Sequence, residues 1–182
     1  MKNRIVLFLL LSIVITSCTP APKPEAEKAA AAPALMADAN LAQVMRAIMF
    51  PNSNVIFYVQ DKDPGSVKPA ADPSAAINIL ESAYGGWGAV ENSALALAEG
   101  ANLLTIPGRK CSNGKDVPTQ NADWAKLVQG LRDAGMTAYK AAQSKNKDNI
   151  LMATDALTTA CSNCHEKYRD KDNQGAIENR CM

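Results

Sequence analysis

Histidine is almost missing from this chain: a single one, His165, stands among 182 residues. No site that needs two histidines from one chain can form here. Aromatic residues are scarce too, at 5 % of the sequence, and β-branched residues are too thinly spread to build many strands. An excess of charge of one sign is also missing. The formal net charge is +1, and there is no basic stripe of the kind that binds nucleic acid. The chain has no obvious internal repeat and no nucleotide-binding glycine loop, and no catalytic base can be picked out, which speaks against an enzyme. Its longest apolar run, residues 5–15, is shorter than the about 20 residues of a bilayer-spanning helix.

What is present begins with that run. Residues 1–17, MKNRIVLFLLLSIVITS, place Lys2 and Arg4 before it and small residues after it, followed by Cys18. This is the pattern of a secretory leader. ITSC resembles the lipobox of bacterial lipoproteins. The resemblance implies cleavage before Cys18, lipidation of that residue, and stable anchoring by more than one acyl chain. Thr19 is not the aspartate that retains such proteins at the inner membrane of enteric bacteria, so the expected location is the cell envelope, facing the periplasm, with the outer membrane favoured. Residues 18–38 are rich in Pro, Ala, Glu and Lys and too poor in large apolar side chains to bury a core. They read as a tether that could reach tens of ångströms at about 3.1 Å per extended residue. Without Lys2 and Arg4, 17 basic residues face 18 acidic ones, so the chain after the leader, tether and domain 39–182 together, is close to neutral.

Apolar residues three and four apart dominate that domain, which predicts helices. The first runs over about 40–60, with Leu41, Val44, Met45, Ile48 and Met49 on one side and a kink or break expected at Pro51. The second covers about 87–104, with Val90, Ala94, Leu97, Ala101 and Leu104 in register. A long Pro- and Gly-containing connection, 61–86, separates them. The third covers about 122–143, with Trp124, Val128, Leu131, Gly135 and Ala138 in register and Asn121 as its cap. The fourth starts after Asp148 and places Ile150, Leu157, Cys161, Cys164 and Tyr168 on one stripe. The expected fold class is all-α, an antiparallel four-helix bundle. Trp87 and Trp124 are read as packing residues.

Near the C-terminus stands TTACSNCHEKYRD, residues 158–170. On a helix Cys161, Cys164 and His165 share a face and can reach one flat object lying along it. C-x-x-C-H is the attachment pattern of a c-type haem: two thiols add to the two porphyrin vinyl groups, and the imidazole becomes an axial ligand to iron. Three other readings compete. A thioredoxin-like redox pair needs a βαβ setting, which is missing. A zinc site would have to recruit Cys111 and Cys181. Two structural cysteines beside a chance histidine is the third.

A four-helix pattern with CSNCH in its last helix resembles the class II c-type cytochromes, the group of cytochrome c′ and its low-spin relatives, over about residues 39–169. The resemblance implies one covalent haem c with His165 as proximal ligand and a distal side lined by the first helix. Low-spin members supply a methionine from that helix, and cytochrome c′ leaves the iron five-coordinate. In an up-down-up-down bundle Met45 and His165 lie at roughly equal height, so Met45 is the distal candidate and Met49 the second choice. At the same end lie Cys111, in the turn between helices two and three, and Cys181, in the tail. In an oxidising compartment these two cysteines are expected to pair. Lys167 and Arg169 are candidate contacts for the haem propionates.

The function implied is a membrane-anchored electron carrier exchanging one electron with periplasmic redox partner proteins. The alternative is a five-coordinate, cytochrome c′-like protein that binds nitric oxide or carbon monoxide. Class II members often pair through their first two helices, so a homodimer is also implied, although the 61–86 connection would obstruct it.

Overall fold

The computed structural model describes residues 34–169 and Cys181. The expected leader 1–17, the expected lipidation site Cys18 and the tether as far as residue 33 lie outside the described residues, as do 170–180 and Met182. Residues 34–38 are non-helical, with Leu35 and Met36 exposed.

Four helical stretches pack against one another, and no strand occurs among the described residues. The first stretch joins α1 (Leu41–Val44), a π-helical turn (Met45–Met49), α2 (Phe50–Phe57) and a 3-10 turn (Tyr58–Gln60). It starts on a capping box: Asn40 Oδ1 accepts from the Gln43 N–H at 2.9 Å, and Gln43 Oε1 accepts from the Asn40 N–H at 2.8 Å. The break expected at Pro51 does not occur. Pro51 lies in the first turn of α2, where its missing N–H costs least. The irregularity falls just before it, where the Phe50 N–H reaches back five residues to the Met45 carbonyl. That wider turn relieves the clash between a proline ring and the carbonyl four residues earlier. Asn52 Nδ2 then donates to the Ile48 carbonyl at 2.7 Å.

The second stretch is α3 (Trp87–Gly100), tightened at its end into a 3-10 turn (Ala101–Thr105). The third is α4 (Ala122–Gln143) and the fourth α5 (Lys147–Tyr168). Asn121 does precede α4, but its side chain makes no capping bond; its Nδ2 donates to the Tyr168 hydroxyl at 3.4 Å. α5 begins before Asp148, not after it, because Asn146 Oδ1 accepts from the N–H groups of both Asp148 and Asn149.

Successive stretches run antiparallel. The Lys147 ammonium, at the start of α5, donates to the carbonyl of Gln60, at the end of the first stretch, at 3.2 Å. Trp124, at the start of α4, donates from Nε1 to the carbonyl of Leu104, beyond the end of α3, at 3.1 Å. α3 and α4 approach closely at Gly135, where a Cβ would stand 2.9 Å from the Ala98 backbone nitrogen. The core is the sum of the four expected stripes: Leu41, Val44, Ile56, Val90, Leu97, Leu104, Trp124, Val128, Ile150 and Leu157 are all buried. The 61–86 connection carries two short 3-10 turns, each opened by a side chain accepting from a backbone N–H, Asp63 from Gly65 and Asn78 from Leu80. Gly85 is required there, since a Cβ would come 2.2 Å from the Leu80 carbonyl oxygen.

The end of the bundle holding the start of the first stretch is closed by a hairpin-like loop, residues 109–117. Lys110 and Asp116 pair antiparallel across it, and Gly114 turns it with φ of 81°. The Lys110 carbonyl accepts from the Leu41 N–H at 2.8 Å. Arg109, buried, donates from Nε to the Leu103 carbonyl at 2.8 Å and from its terminal nitrogen to the Ala39 carbonyl. Cys111 forms a disulfide with Cys181, with Cα atoms 4.7 Å apart, and the Cys181 N–H donates to the Tyr168 carbonyl at 3.0 Å.

Two predictions follow from this packing. Gly135→Ala should destabilise by about 1–3 kcal/mol, because its methyl meets immovable α3 backbone. Gly130→Ala, with nothing within 4 Å of its Cβ, should gain up to about 1 kcal/mol from helix propensity. Urea unfolding of both variants checks the opposite signs. Paired Cys111→Ser and Cys181→Ser substitutions remove a covalent link between residues 70 apart in sequence. They should lower stability by about 2–4 kcal/mol in the same assay.

Candidate cofactor site

One cavity of about 470 Å³ lies at this end of the bundle, within the range of small-molecule and cofactor sites. α5 forms one wall. Helical spacing brings Cys161, Cys164 and His165 to the same surface, where all three line the cavity beside Ala160 and Tyr168. Both cysteines are half-buried and carry free thiols. Burial pushes both thiols up, Cys164 to about 11; for Cys161 the nearby Arg169 charge partly opposes this. At neutral pH they are therefore neutral thiols, unlike the low-pKa thiolates of redox pairs. They also lie in the last two turns of α5, far from a helix N-terminus that would favour a thiolate.

The first stretch forms the facing wall, and both methionine candidates line it. They are not equivalent. Met49 is buried, and its thioether is seated against α3 at Gly100, where an added Cβ would lie 3.0 Å from Met49 Cε and 3.5 Å from its sulfur. Met45 is half-buried and packs at the edge of the core. The π-helical turn containing both widens the spiral opposite α5. π-turns of this kind recur at functional sites.

The floor is apolar, with Leu97, Leu104, Val128 and Leu131 from α3, its terminal turn and α4. Trp124, 1 % exposed, meets Tyr168 edge to face with ring centroids 4.9 Å apart and planes at 74°. The Tyr168 hydroxyl donates to Asp123 Oδ2 at 2.9 Å. Asp123 also pairs with Lys167. Its carboxyl is held below the ordinary carboxylate range, first by the hydrogen bond from Lys167 and then by that from Tyr168, while the Lys167 ammonium is correspondingly raised. Of the two expected propionate contacts, Arg169 lines the cavity and Lys167 does not, being engaged with Asp123.

Cys181 lines the cavity as well, so the disulfide forms part of its wall. Cys111 and Cys181 are thus bonded to each other and supply no thiolate to a metal. Among the described residues no group of three or more His, Cys, Asp or Glu side chains is placed to hold a metal ion. Among the lining residues not singled out from the sequence are Arg46 and Phe50. Arg46 directly follows Met45, and a residue one position from a candidate ligand on a wide helical turn is a natural neighbour of the same space. Phe50, 64 % exposed, stands where the cavity meets solvent.

The chain matches no protein-family model, no curated protein and no solved structure.

Met49 is buried with its thioether end against Gly100, so it contributes to packing. Met49→Ala should therefore lower stability by about 2–4 kcal/mol, measured by urea unfolding, while leaving the chemistry of the cavity in place.

Proposed function

We propose that this protein is a c-type cytochrome of the class II kind, an electron carrier with one haem bound covalently in the cavity between α5 and the first helical stretch. The observation that carries this reading is the meeting of Cys161, Cys164 and His165 on one wall of an apolar cavity with Met45 on the other. The donor set fits the group. Two neutral thiols one helical turn apart suit addition to two vinyl groups: each S–H would add across a C=C bond, sulfur to one carbon and hydrogen to the other, with no oxidant consumed. His165, adjacent to Cys164, brings an imidazole to the same side. Met45 offers a thioether from the opposite wall and is favoured over Met49, whose thioether end lies against Gly100.

Haem held this way would supply a one-electron ferric–ferrous couple. The residues around it determine how that couple is used. Thioether ligation by Met45 would fill the sixth position and raise the potential, since sulfur favours the reduced metal. The apolar floor and Trp124 exclude water and so limit the reorganisation that accompanies electron exchange. Lipidation at Cys18 and the tether would hold the domain at the membrane, facing periplasmic partners.

Absorption spectra of the haem-matured chain test the ligand set. The expected result is a low-spin ferric spectrum with a far-red thioether band, unmoved by carbon monoxide in the ferrous form. Met45→Ala should abolish that band and allow carbon monoxide to bind. A native spectrum that is high-spin and shifts with carbon monoxide would instead support the cytochrome c′-like reading, in which the protein binds nitric oxide or carbon monoxide.

A further inference from the structure

The cavity has apolar walls, yet its rim carries two guanidinium groups, Arg46 from the π-helical turn and Arg169 just beyond α5. Arg46 differs from two of the other described arginines. Arg109 is spent on the carbonyls of Leu103 and Ala39, and Arg132 on the Ala98 carbonyl and the Asn102 side chain. Arg46 is exposed and has no hydrogen-bond or ion-pair partner among the described residues. A guanidinium offers a planar fork that matches a carboxylate. An uncommitted fork at the rim of an apolar cavity suits an occupant with an apolar body and an anionic edge.

We infer that Arg46 binds a carboxylate of the cavity's occupant from the side of the first helical stretch. If the occupant is haem, as proposed above, the carboxylate is a propionate. Arg46 is then its contact from the first stretch. Lys167 is not available for this task because Asp123 holds it. The assignment also gives the residue next to Met45 a role: one turn of helix would fix both the iron's distal side and the orientation of the macrocycle about it.

A charge series at position 46 tests this in the haem-matured full chain, using Arg46→Lys, Arg46→Gln and Arg46→Glu. Haem retained on the denatured polypeptide is checked first; its absence from the wild-type chain would overturn the haem reading itself. With haem present, a nearby cation favours the reduced, less positive centre. Arg46→Gln should shift the reduction equilibrium toward the ferric form by about three- to tenfold. The upper end corresponds to 59 mV for a one-electron couple. Arg46→Glu should shift it further, and Arg46→Lys should stay near wild type. The propionate bending bands in the resonance Raman spectrum should move in the Gln and Glu variants, while the axial-ligand bands stay in place. A potential independent of charge at position 46, or propionate bands unchanged in Arg46→Gln, would overturn the assignment and leave Arg46 a solvated surface cation.

Discussion

The antiparallel closure of the first helical stretch against α5 is the constraint on which the rest depends. Helical spacing alone puts Cys161, Cys164 and His165 on one face, but a face is not a site until something stands across from it. The contact between Lys147 and Gln60 fixes one end of the pair. At the other end, the Leu41–Lys110 hydrogen bond and the Cys111–Cys181 disulfide tie the start of the first stretch, the 109–117 loop and the end of α5 into one assembly. Between these ties α2 and the turn after it touch α5, and toward the end that holds Met45 and Cys161 a cavity opens between the two helices. Close-packed interiors rarely leave such volume, so its position beside two free thiols and the sole histidine is informative.

The π-helical turn links local sequence to that cavity. Pro51 cannot be accommodated in a regular helix without relief, and the extra residue in Met45–Met49 provides it. Met45, Arg46 and Met49 of this turn all line the cavity, and the Met49 thioether reaches Gly100 as well. A proline that reads as a helix breaker thus stands beside the turn that forms the cavity wall facing α5. Tyr168 closes the opposite corner, joining Trp124 by ring contact and Asp123 by hydrogen bond, so the end of α5 is fixed against α4.

Much of this was legible in the residues. The stripe from Trp124 to Ala138 is strongly periodic, and the limits read for that helix, 122–143, are those of α4. The stripe on α3 is equally regular and wholly buried. The departures come from interactions that periodicity does not encode. Asn121 looked like a cap but turns to Tyr168, 47 positions away in sequence. α5 starts earlier than its apolar pattern because a cap acts before the first buried residue. The π-turn has no compositional signature; only the conflict between Pro51 and a continuing apolar face hints at it. In the site, the motif residues were visible because chemistry fixes their spacing. Choosing between Met45 and Met49 required knowing what Gly100 leaves room for. Arg46 was invisible because an exposed arginine on a helix is ordinary until a cavity is found beside it.

The central claim is that one haem is bound covalently through Cys161 and Cys164, and peptide mapping tests it most directly. The chain would be produced with a bacterial c-type haem attachment system, denatured, digested with trypsin and analysed by mass spectrometry. The account predicts that the peptide from Asp148 to Lys167 carries the added mass of one haem and that no other peptide does. Recovery of that peptide unmodified, with both thiols open to alkylation, would contradict it.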